Sequence, residues 1–202
     1  MVKTAADFTV PPSDYRIVVP DGWFQLALEP EESDASALAL AEQQFHGIDN
    51  APHLKRELTR ELQRQAREAY AAGGTELYLS TLVVGPVPLS SSLLISVPPP
   101  GEWPDISGPA ALSRHLELLP GRQEVGVVEL SAAGRVVRTR QHREPDPARQ
   151  LGNTLPTTSL SYYAPIPMTE KWLVLDFSTP IDPLANQMVE LFDTVAGTLH
   201  WL

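Results

Sequence analysis

The sequence predicts an α+β fold, a largely antiparallel sheet flanked by helices. Three observations carry this. Short β-rich runs succeed one another through Pro- and Gly-containing turns, a pattern that favours antiparallel neighbours. Between and after those runs lie segments with apolar residues at three- and four-residue spacing, the mark of amphipathic helices that cover a sheet. No repeat at a period of about 20 to 50 residues is present, which sets aside solenoids and propellers.

Taken in order, residues 1–13 are expected to form a flexible N-terminal arm. Tyr15 to Val19 and Trp23 to Leu28 read as strands, and the Pro20-Asp21-Gly22 turn between them predicts a hairpin. Ser33 to Ile48 carries Leu38, Ala41 and Phe45 at helical spacing. Ala51 to Ala72 predicts the longest helix: Pro52 suits the first turn, Asn50 is placed to cap it and Gly73-Gly74 stops it. Its apolar stripe is Leu54, Leu58, Leu62, Ala66 and Ala69, and opposite lie Arg56, Arg60, Arg64 and Arg67 among Glu57, Glu61 and Glu68. That second face reads either as a solvated surface laced with ion pairs or as a basic docking stripe.

Thr75 to Val84 and Leu93 to Val97 are expected strands, followed by a loop over Pro98 to Pro109 that Trp103 helps to order. A short helix is expected from Pro109 to Leu119, capped by Ser107 and stopped by Pro120-Gly121. Glu124 to Leu130 and Gly134 to His142 predict a second hairpin, and the polar Arg143 to Pro156 segment a surface loop. Thr157 to Ala164 and Lys171 to Ser178 form the last predicted strand pair. Alternation in the second of these puts Leu173, Leu175 and Phe177 on one face and Trp172, Val174 and Asp176 on the other. The chain closes on a helix from Pro183 to Leu199, capped by Asp182, whose stripe of Leu184, Met188, Leu191, Phe192, Val195 and Leu199 is expected to pack on that first face.

A chain of 202 residues fits a single domain over 1–202 with one core. The absence of cysteine removes thiolate nucleophiles, Cys-ligated metals and redox motifs. A formal charge of −10 repels phosphate backbones and anionic membrane surfaces, so neither nucleic acid nor membrane is an expected partner. With no apolar h-region in Met1 to Val10, a cytoplasmic location is the simplest expectation.

Val19-Pro20-Asp21-Gly22-Trp23 near the start, and the terminal segment Phe192-Asp193-Thr194-Val195-Ala196-Gly197-Thr198, resemble the PsbP-like superfamily. That resemblance implies an antiparallel sheet between helical layers and, by fold analogy, a role in binding other proteins. Gln44-Phe45, the run Asp49 to Arg56 and Phe177-Ser178-Thr179-Pro180 resemble an uncharacterised actinobacterial family, from which no residue role is carried over.

The sequence offers no catalytic motif. His46, His53, His115, His142 and His200 show no zinc-site spacing, although His46 and His53 flank Asp49; no metal and no cofactor is expected. Ser90-Ser91-Ser92 lacks the flanking glycines of a nucleophile elbow, and Gly73-Gly74 precedes a strand rather than a phosphate-binding helix. Asp176, in an apolar strand, reads as a satisfied or solvent-facing carboxylate before a catalytic one. Arg138, Arg140 and His142 alternate onto one face of a strand, either as a charged edge that resists strand pairing or as a cationic patch for an acidic partner. Tyr162 and Trp172 are candidate aromatic anchors beside it, and Trp103 and Trp172 are candidate exposed aromatics. The leading functional expectation is therefore a non-enzymatic protein-binding module, an adaptor, chaperone-like or immunity-type factor whose partner is another protein. The alternatives are a small hydrolase or ligand-binding protein with a site assembled from distant residues, and a structural subunit of a larger assembly. A pocket with converging polar groups would favour the second class.

Overall fold

The computed structural model describes residues 4–48, 50–85, 87–99, 106–145 and 155–202. In chain order the elements are β1 (Tyr15–Arg16), β2 (Trp23–Leu26), α1 (Pro30–Gln44), α2 (Pro52–Ala71), β3 (Gly74–Ser80), β4 (Val83–Val84), β5 (Val87–Pro88) and β6 (Ser92–Ser96). After them come α3 (Pro109–Glu117), β7 (Arg122–Leu130), β8 (Gly134–Arg143), β9 (Thr157–Pro165), β10 (Trp172–Thr179), α4 (Ala185–Ala196) and β11 (His200–Trp201). Seven strands form the central sheet in the order β2-β3-β6-β10-β9-β8-β7. All neighbours in it run antiparallel, as the turn chemistry predicts.

Helices cover both faces. On one, the α4 stripe of Met188, Val189, Phe192 and Val195 is buried against Leu160, Leu173, Leu175 and Phe177. The Phe177 and Phe192 rings stack at 4.9 Å, with Trp23 and Tyr162 edge-on to them. On the other face lie two separate apolar clusters. α1 and α2 bring Ala37, Leu40, Leu62 and Ala66 onto Leu26 and Leu77 at the β2–β3 end, while α3 sets Leu112 and Leu116 against Val137, Tyr163, Trp172 and Val174 near the β7 end.

Glycine is required where α2 turns into β3. Gly73 has φ +77, and a Cβ there would stand 2.6 Å from the Val97 carbonyl oxygen.

Several local expectations are corrected. Tyr15 to Val19 does not pair with the strand after it; β1 pairs with β11, a two-residue strand that lies just past the predicted closing helix. The Pro20-Asp21-Gly22 turn instead delivers the chain to the sheet edge, where β2 pairs with β3 and Thr81 donates its N–H to the Gly22 carbonyl. The long helix is preceded by Ala51 rather than capped by Asn50, and α3 is preceded by Gly108 (φ +81) rather than by Ser107. Asp182 lies in a short 3-10 turn before α4, whose N-cap position is Leu184. Of the arm expected over 1–13, the described part is tied down: Ala5 N–H donates to the Ala132 carbonyl and Ser13 N–H to the Leu202 carbonyl.

Candidate functional site

The residues proposed from sequence as a binding surface do not assemble into one. Arg138, Arg140 and His142 do share a face of β8, but β8 lies inside the sheet between β7 and β9, and the face is the one α4 covers. Arg138 donates from Nε and Nη2 to the two carboxylate oxygens of Asp193 on α4 (2.8 and 3.1 Å) and from Nη1 to Glu124 at 3.2 Å. Arg140 reaches Asn186 at 2.8 Å and Glu124 at 3.6 Å. His142 lies between Glu144 and Asp182, at 3.5 and 4.0 Å. A cation held by its own protein's carboxylates has little field left for a partner.

The two aromatics point away from each other. Tyr162 is buried beneath α4, its hydroxyl donating to Asp193, and Trp172 is 4% exposed under α3 on the opposite face. Neighbouring strand positions alternate faces, so residues 162 on β9 and 172 on β10 take opposite sides of the sheet. Trp103 and Asp49 lie outside the described residues. Among the described residues no group of three metal-ligating side chains exists, and no helix is long and apolar enough to cross a membrane.

A second polar cluster fixes the N-terminal strand. Glu76 on β3 accepts from the hydroxyls of Tyr15 and Tyr78, and Tyr15 also meets Thr75 Oγ1 at 3.0 Å. Burial first, and hydrogen bonding to the carboxylate second, push both phenols well above the ordinary tyrosine value, and Tyr162 beside Asp193 is raised by the same two causes.

The site that the fold does create lies between the two helical layers of the second face. There β6, β8, β9 and β10 floor a cleft of about 390 Å³. Its lining includes Ser92, Gln141, Ser159, Ser161, Asp176 and Ser178, with Tyr163 toward α3 and Arg143 at the rim. The register explains the convergence. Ser92, Ser178, Ser159 and Gln141 stand in one cross-strand row, and Asp176, Ser161 and Thr139 in the next. Cross-strand neighbours lie about 5 Å apart, so each row presents a ladder of hydrogen-bonding groups. Ser92 and Ser178 hydroxyls meet at 2.8 Å, and Arg143 donates from Nε and Nη2 to Gln141 Oε1 at 3.1 and 2.8 Å. Thr139, Gln141 and Ser161 are below 10% exposed, so the polarity is recessed and not merely superficial.

Sequence reasoning met two members of this set, Asp176 as an isolated carboxylate and Ser92 within a serine run that lacks a nucleophile elbow. The fuller signal was there: positions 159, 161, 176 and 178 are polar at alternate places in two strands whose other faces are apolar. Only the register puts them side by side.

The class that fold and cleft define is an α+β sandwich holding an open polar pocket on one sheet face. No family model matches the chain, and no curated protein matches it. Among solved structures it is similar to a cyanobacterial PsbP (CyanoP) from Synechocystis sp. PCC 6803, at 14% identity and a TM-score of 0.42, over 93% of this chain and 86% of that one. It is also similar to LpqN, a Mycobacterium tuberculosis protein involved in cell envelope biogenesis, at 12% identity and a TM-score of 0.47, over 98% and 97%.

Proposed function

We propose that this chain is a non-enzymatic binding protein and that the polar cleft is where a small polar ligand sits. The observation that carries the reading is the pair of cross-strand polar rows, recessed in a cleft of about 390 Å³, within the size range of small-molecule sites. A sheet face between two apolar clusters gains stability from apolar residues, and polar side chains there forgo that gain. Hydroxyl, amide, carboxylate and guanidinium groups together supply both donors and acceptors, which suits recognition of a ligand with several polar groups. A serine nucleophile is most often activated by a histidine; the described lining contains none, and the Ser92 and Ser178 hydroxyls meet each other.

The test is a fragment screen on isotope-labelled protein, read by amide chemical shifts. Polar fragments are expected to shift Ser92, Ser159, Ser161, Asp176 and Ser178 together, and Ser159→Phe is expected to abolish those shifts while leaving the signals of the Phe177–Phe192 core in place. Binding confined to other surfaces, or conversion of a bound fragment to product, would overturn the reading.

A further inference from the structure

The arginines of α2 fall into two groups. Arg64 donates from Nε and Nη2 to the carboxylate oxygens of Glu61 and from Nη1 to Glu68 at 2.6 Å, and Arg67 reaches across to Asp34 of α1 at 3.7 Å. Both cations are satisfied within the helical pair. Arg56 and Arg60 form no ion pair among the described residues. They also stand four residues apart, as do Arg60 and Arg64, a like-charge spacing that disfavours an isolated helix.

These two guanidinium groups do not point into open solvent alone. With Leu38 of α1 and Pro52, Lys55 and Thr59 of α2 they line a groove of about 400 Å³ along the α1–α2 seam. Leu38 is 46% exposed there, an apolar position in a groove rimmed by cations. Lys55 closes one end through its 3.2 Å contact with Glu42, and the Arg67–Asp34 contact bridges the two helices further along α2.

We propose that this groove is a docking surface for an acidic amphipathic helix of a partner protein. A seam between two packed helices is a ridge-lined slot into which a third helix fits. An apolar ridge of that helix would cover Leu38, and its carboxylates would meet Arg56 and Arg60, whose forked guanidinium groups suit bidentate pairing. The groove is cationic in a protein of net charge −10, so it attracts an acidic partner locally against the charge of the molecule as a whole, which helps to fix the partner's orientation. The same overall charge argues against an anionic membrane, which would face the whole molecule and not only the slot.

The probe is a fluorescein-labelled peptide of about sixteen residues with leucines on one helical face and glutamates on the other, long enough for a stable turn count once docked. A counterpart with lysines in place of the glutamates is the control. In fluorescence anisotropy the acidic peptide is expected to bind the full chain, with affinity falling as salt rises and the lysine peptide failing to bind. The double variant Arg56→Glu/Arg60→Glu is expected to weaken binding about tenfold or more. Arg64→Ala, which removes an arginine already paired within α2, is expected to stay within about twofold. Leu38→Asp on the facing helix is an independent second variant, expected to weaken binding without touching the arginines, and circular dichroism checks that each variant is folded. Equal binding of the two peptides, or undiminished binding by folded Arg56→Glu/Arg60→Glu and Leu38→Asp, would overturn the proposal. So would capture of the wild-type chain by vesicles of phosphatidylcholine with about 30% phosphatidylglycerol when the acidic peptide does not bind.

Discussion

On one face of the sheet, α4 lies along Leu160, Leu175 and Phe177, and the charge it meets there, Arg138, is bound by Asp193 of the helix itself. On the other, α1–α2 and α3 cover the two ends and leave Ser92, Ser159, Ser161 and Ser178 between them. The same strands supply both faces, because successive residues point to opposite sides. Helix coverage therefore decides which polar residues are used for folding and which stay available. Beneath α4, polar groups such as Tyr162 and Arg138 are drawn into a network that fastens the helix. In the gap between the helical layers they line a cleft.

The largest effect that sharpens this contrast belongs to the α4 face. Phe192 is fully buried and stacked on Phe177, so Phe192→Ala is expected to cost about 3 to 5 kcal/mol in denaturant unfolding. A loss below about 1 kcal/mol would mean that α4 contributes little to the fold and that the two faces are not energetically distinct.

That packing was readable from sequence, since the stripe of α4 and the alternation of Leu173, Leu175 and Phe177 each identify a buried face before the two are brought together. Elements paired across long sequence separations were not readable. β1 pairs with β11 at the far end of the chain, and nothing local to Tyr15 or Trp201 specifies it. The arginines of β8 misled for a related reason: alternation gives a shared face correctly, but whether that face meets solvent or a helix depends on where α4 lands. The cleft is the same problem in another form, because its rows are written in register and register is a property of the sheet.

A second, smaller effect concerns tyrosines. Tyr15, Tyr78 and Tyr162 are each held neutral by burial and by a carboxylate that accepts from the phenol. Their folded-state pKa values lie above the unfolded value near 10, so the folded protein binds more protons than the unfolded chain once pH exceeds about 10. Their contribution to stability is therefore fully present below that pH and is lost as pH rises toward the folded-state values. In an ultraviolet titration at about 295 nm, these three of the five tyrosines are expected to stay protonated above pH 10 until the protein unfolds. Ionisation of all five in one step near pH 10, with the fold retained, would mean that these clusters do not hold the phenols.

The smallest expected effect is the most informative, because it asks what the polar rows are for. Replacing the three serines of one row, Ser92→Val/Ser159→Val/Ser178→Val, removes both partners of the Ser92–Ser178 contact together, so neither hydroxyl is left without the other, and it adds β-branched side chains suited to strands. If the cleft is kept polar for a ligand, the free energy of unfolding in denaturant is expected to stay within about 1 kcal/mol of wild type or to rise, while binding of the polar fragments disappears. A loss of more than about 2 kcal/mol, with fragment binding retained by the folded variant, would contradict the account and make the row a structural element of the sheet.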